Sequence, residues 1–157
     1  MRINLQLPLL LLFCLQALGQ SNPLLVKDSV AQMAWVENQF QNMSLQERIG
    51  QLFMVSVASN QGKTATDRIK TLVEDQGIGG VIFSVGGPIQ QAQLTNAYQS
   101  AAKVPLLIGS DAEWGMAMRL DSTYAFPWNM TLGAIQDSTI IEKVGYQIGK
   151  HAKRLGV

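Results

Sequence analysis

The sequence predicts an α/β fold built on a parallel sheet, and three observations carry that prediction. From Ser44 onward, helical segments alternate with short apolar runs of strand length. Those runs, "LFMVSVAS", "GGVIFSV" and "VPLLIGSD", are apolar on both alternations, which is the pattern of strands covered on both faces. Each run is separated from the next by a helical segment, as βαβ units require. The pattern leaves two architectures open, a doubly wound sheet and an eight-stranded barrel.

Each element has its own signal. "MSLQERIGQLF" begins with Ser44 and carries Glu47 three residues later, a capping box that starts a short helix. The first strand run follows directly. In "TATDRIKTLVEDQG", Ile69, Leu72 and Val73 share a helical face, Thr64 or Thr66 is the expected N-cap, and Gly77 is the stop. After the second strand run, "GGPIQQAQLTNAYQSAAK" places Pro88 at a first helical position and Leu94, Ala97 and Ala101 at helical spacing. After the third, "STYAFPWNMTLGA" reads as irregular. A last helix, from about Asp137 to Leu155, has Ile141, Val144, Ile148 and Ala152 as its expected buried stripe, with Gly156 as its stop.

The N-terminus reads as a secretory signal. Arg2 precedes an apolar block from Leu5 to Leu18, which ends in the small-x-small triplet Ala17-Leu18-Gly19 and predicts cleavage before Gln20. The block is short of the roughly 20 apolar residues a membrane span needs, and Gln6 and Gln16 interrupt it. Lipidation of Cys14 in "LLFC" is disfavoured by bulky Phe13, where a small residue is wanted. Residues 1–19 thus form a signal peptide, 20–34 a leader and 35–157 the domain, in a secreted or periplasmic protein. Removing 1–19 takes away the only cysteine and one of the 12 basic residues, leaving a neutral chain without thiol or disulfide chemistry. Such a balance points to neither a nucleic-acid nor an anionic-membrane partner. The closing "HAKRLGV" stops a helix and starts a new apolar run, the expected opening of a longer protein.

Several motifs have ordinary explanations. Gly62-Lys63-Thr64 has the tail of a phosphate-binding loop, but Val57 stands where its first glycine must be. His151 is the only histidine; on a helix flank near a C-terminus, a structural role stabilised by the helix dipole is expected. One histidine and no mature cysteine leave no ligand set for a zinc site. Asn42 and Asn129 head the sequons "NMS" and "NMT", relevant only in a host that glycosylates asparagine.

"SDAEWGMAMRL" carries the strongest candidates. Asp111 lies just past a strand's carboxyl end, where parallel α/β folds bind ligands. If the strand persists, Glu113 points the same way, about 6–7 Å off at Cβ. Two carboxylates on one strand approach a sugar from one side, so they do not make a glycosidase acid and nucleophile pair. Arg119 is placed to fold back toward the same ligand. Trp114 suits either an apolar platform for a sugar or ordinary packing.

These residues, with "SLQERIGQLFMV", "GIGGVIF", "FPWNMTLGA" and "IGKHAKRLGV", make the chain resemble the N-terminal barrel domain of family-three glycoside hydrolases from about Trp35 to Val157. The family pattern D-x-E-G-G-R-V-x-R-L reads here as "DAEWGMAMRL". Trp114, Met116 and Ala117 depart from it, Met116 standing where the pattern has an arginine. The resemblance implies the first three units of a (β/α)8 TIM barrel and a retaining exo-β-glycosidase, closest in pattern to a secreted β-N-acetylhexosaminidase branch. It also implies that Asp111 and Arg119 bind substrate, that no cofactor is needed, and that nucleophile and acid/base lie beyond Val157. A downstream domain is possible in that branch. β-Glucosidase activity, or sugar binding without chemistry, are the rival expectations.

Overall fold

The computed structural model of the chain describes residues 28–157. The expected signal peptide and the first part of the leader lie outside the described residues. The chain divides into two compact units between Gln41 and Asn42. The described part of the first lies in a helix, α1 (Ser29–Asn42), which runs to the division itself and is started by Asp28, whose carboxylate accepts from the Ala31 amide at 2.9 Å. The backbone is one uninterrupted helix across Trp35, where the sequence reading ends the leader. Apolar residues lie all around α1 and none is buried, so it has no periodic stripe to reveal it. Among the described residues no helix is long and apolar enough to cross a membrane.

The second unit holds the sheet. α2 (Leu45–Gly50) opens with the predicted capping box: the Glu47 amide donates to Ser44 Oγ at 3.2 Å and the Ser44 amide to the Glu47 carboxylate at 2.9 Å. Lys103 closes on that carboxylate at 2.7 Å. Lys103, then the Ser44 amide and hydroxyl, hold the Glu47 carboxyl down to about 2. Then come β1 (Met54–Ala58), α3 (Lys63–Gln76), β2 (Gly80–Val85), α4 (Pro88–Ala101) and β3 (Leu107–Ser110). The strands pair in parallel in the order β1-β2-β3, so the predicted βαβ alternation is present. Gly77 ends α3 at φ +60° and Pro88 opens α4, both as predicted. The N-cap of α3 is Gly62, not a threonine; the Thr66 hydroxyl donates to the Lys63 carbonyl at 2.9 Å instead.

The register sorts side chains by face. Val55, Val81 and Ile108 align, as do Val57, Phe83 and Ser110, and α3 and α4 cover this face through Ile69, Leu72, Val73, Leu94 and Tyr98. The other face carries Met54, Ile82 and Leu107, and here the prediction of strands covered on both sides fails: Met54 is 46% and Leu107 71% exposed. Three strands and two helices supply one covering layer. The α4 stripe also departs from expectation. Ala97 is exposed, whereas Gln91, Thr95 and Tyr98 are buried, so the face that packs is rotated from the one hydropathy selects.

Beyond β3, a short 3-10 turn (Met116–Met118), a helix α5 (Asn129–Gly133) within the stretch read as irregular, and α6 (Ser138–Arg154) complete the unit. The Asp137 carboxylate caps α6, accepting from the Thr139 amide at 2.9 Å, and Gly156 follows at φ +77°. Its expected stripe is only partly covered: Val144, Ile148 and Ala152 are half-buried and Ile141 is exposed. The reason is the same shortage of layers. α6 meets the rest of the unit through its C-terminal turns, where Ala152 and Leu155 pack on Met116 and Leu120.

Candidate functional site

β3 ends at Ser110 and delivers Asp111 at its carboxyl end, with the side chain half exposed. The strand does not persist. The Gly115 amide donates to the Ala112 carbonyl at 3.0 Å, so the backbone turns before Glu113 can line up beside Asp111. The carboxylate pair that an extended strand would make is therefore absent. Gly115 takes φ +108° with little room beside it, since a Cβ there would lie 3.1 Å from a Phe126 ring carbon. Glu113 is exposed, and its main-chain carbonyl accepts from Asn129 Nδ2 at 3.2 Å, tying the start of α5 to this loop.

The 3-10 turn reverses the chain and returns Arg119 to Asp111. The Arg119 Nε donates to the Asp111 main-chain carbonyl at 2.7 Å, and its terminal guanidinium nitrogen closes an ion pair on the Asp111 carboxylate. The predicted fold-back is real, and its immediate partner is Asp111 itself. Met116 and Leu120, on either side of it in the chain, are buried and anchor the returning segment against Ala152 and Leu155. Leu120 bridges to Gly86 beyond β2: the Gly86 amide donates to the Arg119 carbonyl at 3.2 Å and the Asp121 amide to the Gly86 carbonyl at 3.0 Å. The site thus joins the carboxyl ends of β2 and β3, where a barrel opens its ligand mouth.

Other candidates lie apart from this pair or have structural work. Trp114 is half-buried. His151 lies tilted against Phe126, 5.9 Å between ring centroids and 37° between ring planes, and Phe126 meets Tyr124 edge-on at 4.9 Å. Lys63 pairs with Asp67 at 2.6 Å along exposed α3, the solvated helix start that its missing glycine implies. Among the described residues no group of three or more His, Cys, Asp or Glu side chains is placed to hold a metal ion. Sequence reading missed Gly86, whose contact with Leu120 depends on how two distant loops meet.

A family model described as glycosyl hydrolase family 3 N terminal domain matches residues 44–157. A β-N-acetylglucosaminidase/β-glucosidase of Cellulomonas fimi is 26% identical over 125 residues, covering 80% of this chain and 22% of the relative. A β-hexosaminidase A of Pseudoalteromonas piscicida is 35% identical over 107 residues, covering 60% of this chain and 18% of the relative. The chain therefore spans about a fifth of the length of these curated relatives. Among solved structures, the β-glucoside phosphorylase BglX bound to 2FGlc superposes with a TM-score of 0.67 at 21% identity, over 75% of this chain and 21% of that one, a likeness of fold.

Proposed function

Because the chain belongs to glycosyl hydrolase family 3, we propose that Asp111 and Arg119 form the sugar-binding end of an exo-acting β-glycosidase, with β-N-acetylglucosaminides as preferred substrates and β-glucosides as the alternative. The observation that carries this reading is the double grip of Arg119 on Asp111 at the carboxyl end of β3. A carboxylate fixed there accepts hydrogen bonds from sugar hydroxyls, and its guanidinium partner keeps it oriented while adding donors of its own. Half of the Asp111 side chain remains open to solvent for that purpose. The amino-sugar preference is supported by the names of two relatives, one of which also names β-glucosidase activity.

In the retaining reaction that this reading entails, a carboxylate attacks the anomeric carbon and a separate acid protonates the leaving oxygen. Asp111 and Arg119 stand on the binding side of that division. They hold the non-reducing sugar so that its anomeric carbon meets groups supplied by later parts of a longer chain. We place the domain at 35–157 and, from the apolar block Leu5–Leu18 and the triplet ending at Gly19, export after cleavage before Gln20. The test is a comparison of aryl β-N-acetylglucosaminide and aryl β-glucoside hydrolysis by the full-length protein. Higher kcat/KM on the first supports the reading, equal or higher kcat/KM on the second moves it to β-glucosidase, and hydrolysis of neither overturns it.

A further inference from the structure

We propose that Ser59 and Gly86 are positioning residues that set where Arg119 stands and, through it, Asp111; this rests on the reading of that pair as the sugar-binding end of the site. Ser59 lies immediately past β1, beyond the register shift at Val57 and Ala58, and is 5% exposed. It bonds on both sides of Gly86: its amide donates to the Val85 carbonyl at 2.8 Å, and its hydroxyl to the Gly87 carbonyl at 3.1 Å. Gly86 in turn bonds on both sides of Leu120, through the Arg119 carbonyl and the Asp121 amide. A buried hydroxyl at the exit of β1 thus fixes the exit of β2, and that exit fixes the main chain from which the Arg119 side chain starts.

Gly86 leaves little tolerance in this chain of contacts. It sits at φ +132°, and a Cβ there would collide with the Ser59 hydroxyl and lie 2.8 Å from the Asn60 amide nitrogen. Leu120, 2% exposed, stops the returning segment from sliding to compensate. A displacement at Ser59 or Gly86 is therefore passed to Arg119 rather than absorbed. The Ser59 hydroxyl is taken up by the Gly87 carbonyl, and Gly86 has no side chain to offer a ligand. Their effect runs through the guanidinium, and this separates positioning from a merely structural role.

The test is a double-mutant cycle in the full-length enzyme, with kcat and KM on an aryl β-N-acetylglucosaminide and a thermal melt for each variant. Ser59→Ala is expected to lower kcat/KM by about 2- to 10-fold, chiefly through KM, as loss of one neutral hydrogen bond translates. In an Arg119→Ala background the same substitution is expected to change kcat/KM by less than about 1.5-fold, because the route of coupling is gone. Gly86→Ala is carried through the same cycle, so that loss of fold in either variant leaves the other to decide. An unchanged Ser59→Ala enzyme, or a loss that persists undiminished without Arg119, overturns the positioning role and leaves the site reading standing. Normal kcat/KM for Arg119→Ala alone overturns the site reading and the positioning role with it.

Discussion

Arg119 holds Asp111 at two points, its Nε on the main-chain carbonyl at 2.7 Å and its terminal nitrogen on the carboxylate. The first contact fixes where β3 gives way to the loop. The second fixes the direction of the carboxylate. Only a planar, forked donor makes both at once, which is why an arginine and not a lysine suits the position.

Arg119→Lys is accordingly expected to impair the full-length enzyme although charge is kept. Losing one of the two contacts should lower kcat/KM by roughly fivefold or more, with little change in melting temperature because the pair is partly exposed. Kinetics on an aryl β-N-acetylglucosaminide beside a melt decide it. Full activity with lysine would dismiss the forked contact.

Glu47 predicts the acid side of stability. Its folded value, about 2, lies below the ordinary 4.5 because of Lys103 first and Ser44 second. A depressed carboxyl stabilises the fold above its unfolded value and loses that contribution as pH falls. The full-length protein should therefore lose stability between about pH 4.5 and 2. Glu47→Gln should flatten that part of a denaturation profile, and an identical slope would show that the capping box and Lys103 contribute nothing there.

Two glycines should respond differently to alanine. At Gly77 a Cβ meets Glu47 carbons at ordinary contact distance, 3.6 Å and beyond, so Gly77→Ala bears only the left-handed backbone and should cost about 1–2 kcal/mol. At Gly50 a Cβ would collide with the Gln76 carbonyl and lie 2.8 Å from that of Gly77, so α2 and the end of α3 must part. Gly50→Ala should cost more, about 2–3 kcal/mol or above. Chemical denaturation of both variants is the measurement, and equal losses would contradict the close approach.

What was legible in the sequence was local. Ser44 with Glu47, Gly77, Pro88 and Gly156 each specify a helix end within a few residues, and each stands where expected. The place of Asp111 at a strand's carboxyl end and the return of Arg119 toward it were legible from position and pattern, and the structure brings the two together. What failed depended on neighbours that hydropathy does not know. Gln91 and Thr95 look like surface residues and are buried, while Met54 and Leu107 look like core and are open. Ser59 looks like any residue leaving a strand. Its place against Gly86 arises from a meeting of segments 27 residues apart, which no periodicity records.

The open face and edges of the sheet predict poor behaviour for this stretch of chain by itself. Leu107 is exposed on one side, and a cleft of about 590 Å³ lined by Leu45, Ile49, Phe53, Val55 and Leu72 lies open on another. Among the described residues β1 and β3 are the two edge strands of the sheet. Residues 20–157 expressed alone should aggregate and should not hydrolyse aryl glycosides. A soluble monomer with a cooperative melt would contradict the first expectation, and hydrolysis abolished by Asp111→Ala the second.

The central claim is that Asp111 binds sugar, and Asp111→Asn in the full-length enzyme tests it most directly. Asparagine keeps the shape and can still accept from Arg119, but it removes the charge that strengthens bonds to sugar hydroxyls. A charged hydrogen bond of about 1.5–3 kcal/mol corresponds to a fall in kcat/KM of about 10- to 150-fold on an aryl β-N-acetylglucosaminide, at an unchanged melting temperature. If Asp111→Asn folds and turns over that substrate with the wild-type kcat/KM, Asp111 does not contact the sugar and the site lies elsewhere.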